Sequence, residues 1–226
     1  MTRPNGRAEP ARIFLRPPSV LAVLTALATI TSPGAAHHVG SYVPRDNAVT
    51  TNFKQVKFSV QAKKYDVALR LFDAGPLRAE MHAHAATLPP GLEDGTRAAL
   101  AAGDAPEVER TLMIFFAALA RDLALEADRQ LARPDATADA RAATGRKFLE
   151  AIWRYYNLVD FAVAMRDNKS SVAVRLAFDE AETYVKPAAG GAAPPDPVGI
   201  RQPLLRIAQV LSTLIDSSSP TPRRNS

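Results

Sequence analysis

The chain has no cysteine among its 226 residues. That excludes disulfides, thiolate metal sites and covalent c-type haem. Histidine is almost as scarce: four residues in two pairs, His37-His38 and His82 with His84. None follows Ala85, so the Glu-x-x-His ligand pairs of four-helix di-iron proteins cannot be assembled. The sequence also lacks a Gly-rich phosphate loop, Gly-x-Ser-x-Gly and His-Glu-x-x-His. The chain is therefore expected to be non-catalytic. Aromatics make up only 7%, and no segment alternates β-branched and polar residues as a strand would.

No apolar run is long enough to span a bilayer, which takes roughly 20 residues. The longest, Val20–Ile30, instead resembles the h-region of a secretory signal. Arg3, Arg7, Arg12 and Arg16 supply a basic n-region, and Gly34 and Ala36 offer the small-x-small pattern of a cleavage site. Residues 1–36 are expected to be removed on export, with the membrane met only during that step. The product would be periplasmic or secreted. Cleavage would also remove four Arg and one Glu, lowering the formal charge from +5 to +2. So small an excess gives no case for nucleic-acid binding, which needs a concentrated basic face. Lys54, Lys57, Lys63 and Lys64 cluster locally, but helical geometry spreads them around a cylinder, and they read as solvated.

Helical spacing recurs along the rest of the chain, and the fold class expected is all-α. The architecture is an antiparallel bundle of four to five main helices, short extra helices and a tethered C-terminal amphipathic helix. Residues 37–50 are expected to be extended, 51–185 to form the bundle, 186–197 to be a Pro/Gly-rich linker, 198–216 the C-terminal helix and 217–226 a disordered tail. Within the bundle, Thr50, Thr51 and Asn52 are cap candidates for a first helix that runs to Asp73. Its two stripes, one through Phe58 and Tyr65 and one through Phe53 and Val60, predict a central position. Further helices are expected over Pro76–Leu88, Leu92–Ala102, Ala105–Leu131, Thr137–Arg166 and Lys169–Val185.

Cleavage after Ala36 would put His37 at the mature N-terminus, where its amine and imidazole chelate one ion. His38 is adjacent. All-nitrogen ligation of this kind favours Cu(II), then Ni(II). The arrangement resembles the N-terminal-histidine copper sites of periplasmic copper carriers and copper-dependent oxygenases, which implies copper as the cofactor. Those proteins are mostly β-sandwiches, whereas this chain reads as helical. Met81, His82 and His84 are the candidates to complete the site across space. His82 and His84 cannot do so through a regular helix alone, because residues two apart lie about 200° apart. His84 is expected inward and His82 outward.

A second group, Tyr155, Tyr156, Asn157 and Asp160, reads as a weak ligand-binding cluster or as a buried polar pairing, with Arg121 or Arg166 as partner. Two functional readings stand. The first is an exported helical protein that binds copper through His37. The second is a metal-free periplasmic interaction or scaffold module, docking a protein partner through the 198–216 helix. That helix also has the option of packing back on its own bundle.

Overall fold

A computed structural model describes residues 43, 45–186 and 196–219. The expected signal, most of the linker and the tail beyond residue 219 lie outside the described residues, as do His37 and His38. Among the described residues every regular element is helical. The helices are α1 (Ala48–Gln61), α2 (Tyr65–Asp73), α3 (Pro76–Ala83), α4 (Leu92–Ala102), α5 (Ala105–Leu131), α6 (Ala138–Arg166), α7 (Asn168–Thr183) and α8 (Arg201–Ser218). A 3₁₀ turn, Pro197–Ile200, leads into α8. None of these helices is long and apolar enough to cross a membrane.

The central helix is α5, not the first helix. No charged residue falls between Arg110 and Arg121, and every side chain from Thr111 to Ala120 is buried. A helix that is apolar all round must be covered all round. Coverage comes from α6 along its length, α8 on another side and α4 at its start. Phe116 takes an edge-on contact from Phe53 of α1, with ring centroids 4.7 Å apart. Asp104 caps α5 by accepting from the Glu107 amide at 3.1 Å. Before it, Gly103 sits at φ +70°, a left-handed position that a side chain resists, with the Tyr65 ring against it.

The first expected helix is two. It starts earlier than Thr50, at Asn47, whose side chain accepts from the Thr50 amide while Thr50 returns the bond to the Asn47 amide. It then breaks at Ala62–Lys64. Lys63 adopts φ +58°, its amide bonds to Val60 O at 2.9 Å, and the Lys64 amide bonds to Ser59 O at 2.8 Å. This double closure is a Schellman motif with lysine where glycine is usual, at a conformational cost of about 1 kcal/mol. The break turns the phase of the apolar stripe, so Phe58, expected inward, is 64% exposed.

The C-terminal helix is tied to the bundle at both ends. Arg201, at its start, donates to Asp128 near the end of α5 at 2.7 Å. At its other end, Arg166 Nε donates to Ser218 Oγ at 2.6 Å and Arg110 donates to the Ser218 carbonyl. Two cations thus meet the negative end of the helix dipole. Leu204, Ile207, Leu211 and Leu214 are buried between. Just before α8, the Tyr184 ring lies where a Cβ on Gly199 would stand, 2.2 Å from that position. The two flanks of the expected linker are therefore packed on each other.

Candidate functional site

The α3 candidates do not converge. Met81 is wholly buried. His82 points outward as expected, its imidazole 82% exposed, with Nδ1 3.3 Å from Glu93 of α4. His84 does not point inward. Helix α3 ends at Ala83 and His84 is its C-cap, so it leaves the phase of Leu77 and Met81, and Nε2 lies 3.4 Å from Glu80. Each of these two histidines lies beside a carboxylate, and Glu93 also accepts from Arg78 Nε at 2.7 Å. Among the described residues, no three His, Asp or Glu side chains form a group able to hold a metal ion.

The α6 cluster divides between two sides of the helix. Tyr155 is half-buried, and its hydroxyl accepts from Asn47 Nδ2 at 3.2 Å. Asn157 is exposed, contrary to the expectation that it pairs in the interior. Tyr156 and Asp160 are buried together against α7. Asp160 is paired not with Arg121 or Arg166 but with Arg175, whose Nε donates at 3.0 Å and whose Nη2 closes the fork. Ser171 Oγ donates to it at 3.1 Å. The Tyr156 hydroxyl is buried beside Ser171 and Asp160. Burial, then the neighbouring Asp160 carboxylate, pushes its ionisation above the ordinary phenol range. Asp160 is thus a buried carboxylate held by Ser171 and by a partly exposed arginine, tying α6 to α7.

Among the described residues an opening lies where α1, α5 and α6 meet. A pocket of about 370 Å³ is lined there by Phe53 and Val60, by Val108 and Leu112, and by Leu158, Val159 and Ala162. That volume falls in the range of small-molecule sites, about 300–1,000 Å³. Lys57, Gln61, Lys63 and Tyr65 also line it, as does the exposed Glu109. The Lys57 ammonium lies 5.8 Å from the Phe53 ring centroid, over a face that attracts cations. Neither Lys57 nor Lys63 has a carboxylate within ion-pair distance among the described residues. On α6 the apolar face that begins at Leu158 continues to Phe161 and Met165, both more than 70% exposed.

Nothing in the sequence marked this site. Its two lysines read as solvated on one continuous helix; Lys63 is exposed as that reading expects, Lys57 is half-buried, and the left-handed turn at Lys63 interrupts the helix between them. No family model, curated protein or solved structure matches the chain.

Proposed function

We propose that the chain is a non-catalytic binding module, working without metal in its helical body, and that its ligand site is the α1–α5–α6 pocket. One observation carries this reading: an open apolar cavity with unpaired cationic donors along its edge. Apolar walls with a few placed polar groups are what a small-ligand site requires. The export expected of residues 1–36 would put the module in the periplasm or outside the cell. Packing of the α8 apolar face on α5 and α7 favours a role for that helix in the core over docking of a protein partner.

The test is a neutral solvatochromic probe, N-phenyl-1-naphthylamine, followed by fluorescence. Wild type is expected to bind one equivalent saturably. Ala162→Trp puts an indole into the pocket from a partly exposed position, so it should weaken binding about tenfold, ~1.4 kcal/mol, with the fold intact by circular dichroism. No saturable binding, or equal binding by the variant, rejects the pocket as the site.

A copper site would depend on His37, its amine and His38. With each α3 histidine beside a carboxylate, His82→Ala and His84→Ala are expected to leave Cu(II) affinity unchanged in calorimetric titration. His37→Ala in the processed chain should abolish tight binding, and wild-type affinity should fall as pH drops through about 6.5. A loss of about tenfold in either α3 variant would show that the short helix joins the site.

A further inference from the structure

We infer that the ligand of this pocket is a single acyl chain with an anionic head, a free long-chain fatty carboxylate, an assignment that rests on the pocket being the binding site. The cavity walls are mainly hydrocarbon, from Phe53, Val60, Leu112 and Leu158, so the part that fills it is apolar and gains from every methylene buried. The cationic groups are gathered on the α1 side. Lys57 and Lys63 supply two cations with no carboxylate of their own, and Gln61 adds a neutral donor. Glu109 approaches from α5 on the exposed side, which leaves the net charge of the lining positive and the head at the α1 end. Beyond the cavity, Phe161 and Met165 extend the apolar face of Leu158 along α6, giving a longer chain somewhere to lie.

Lys63 makes the case specific. It holds a left-handed backbone, φ +58°, where glycine would be favoured. A residue kept in a disfavoured conformation at the wall of a pocket points to a role for its side chain. A cation facing an anionic head is such a role.

The full chain, preloaded with N-phenyl-1-naphthylamine, is titrated at low salt with dodecanoate, dodecanol and dodecyltrimethylammonium, each below its micelle concentration. Dodecanoate is expected to displace the probe at about three- to tenfold lower concentration than dodecanol, with the cation weakest. Affinity should rise about fourfold per methylene from octanoate to decanoate. In Lys57→Gln/Lys63→Gln the carboxylate preference should vanish while probe affinity stays. Lys63→Gly should melt about 2–4 °C higher, because the strain is relieved, yet lose part of the preference. Stability and head-group selectivity would then move in opposite directions. Parity of dodecanoate with dodecanol in wild type, or a preference surviving in the double variant, overturns the inference. Displacement by lysophosphatidylglycerol at tenfold lower concentration than dodecanoate overturns the free carboxylate in favour of a phosphodiester head. Failure of the probe to bind at all rejects the pocket reading itself, so the two failures are separable.

Discussion

Asn52→Leu is expected to cost about 3 kcal/mol of folding stability, measured by urea denaturation, although the two side chains have nearly the same shape. Asn52 is buried in the middle of α1, where a helix gains nothing from asparagine. Its side chain instead serves two other elements. Nδ2 donates to the Leu71 carbonyl at 3.1 Å, at the end of α2. Oδ1 accepts from the Leu77 amide at 3.1 Å, one of the free donors of the first turn of α3. Leucine would leave both backbone groups buried and unpaired, each worth about 1–3 kcal/mol. The geometry allows nothing larger nearby: a Cβ on Gly75 would stand 2.2 Å from Asn52 Oδ1 and 2.3 Å from the Leu71 carbonyl oxygen. Gly75→Ala should therefore destabilise as well. The two losses should fall short of additive, since both act on one contact. A cost below about 1 kcal/mol for Asn52→Leu would mean that water reaches these groups and the stitch is not structural.

The same residue explains where reading the sequence succeeds and where it stops. Asn52 looks like a helix cap because Asn, Thr and Thr precede an apolar stripe. It is mid-helix because Asn47 and Thr50 form the cap ahead of it, and its side-chain partners lie 19 and 25 residues on, which no local spacing encodes. Boundaries set by local chemistry were legible. Helix α5 begins where Asp104 and Pro106 start one and ends before Arg133-Pro134. Helix α4 ends where Gly103 supplies its left-handed cap. The break after Gln61 was not legible, because lysine rather than glycine or proline makes it. With that break went the pocket, whose lining includes Lys63 at the break itself. The docking of α8 was also illegible in its decisive part. Its amphipathic face was clear, but the ties through Arg110, Arg166 and Arg201 depend on residues 108, 52 and 73 positions away.

Asp160→Leu is expected to cost about 3 kcal/mol, and the loss should be largely recovered when Arg175→Met is added. In the single variant the guanidinium of Arg175 loses both carboxylate bonds and the Ser171 hydroxyl loses its acceptor. Breaking a fully buried pair costs about 3–5 kcal/mol. The Arg175 side chain is 41% exposed and can turn to water, which places the expected loss at the low end of that range. The double variant removes the orphaned charge and fills the space between α6 and α7 with hydrocarbon. It also takes the carboxylate away from the buried Tyr156 hydroxyl, whose ionisation that carboxylate opposes. Replacing a whole ion pair by apolar groups of similar volume is often neutral or stabilising. The double variant should therefore come within about 1 kcal/mol of wild type, a coupling of about 2 kcal/mol plus whatever Arg175→Met costs alone in a double-mutant cycle. Because Asp160 lies on the far side of α6 from Ala162, neither variant should alter binding of the neutral probe at the α1–α5–α6 pocket. A double variant as unstable as the single one would show that Asp160 is needed for more than its partner. Loss of probe binding in a folded double variant would place the pair in the binding machinery after all.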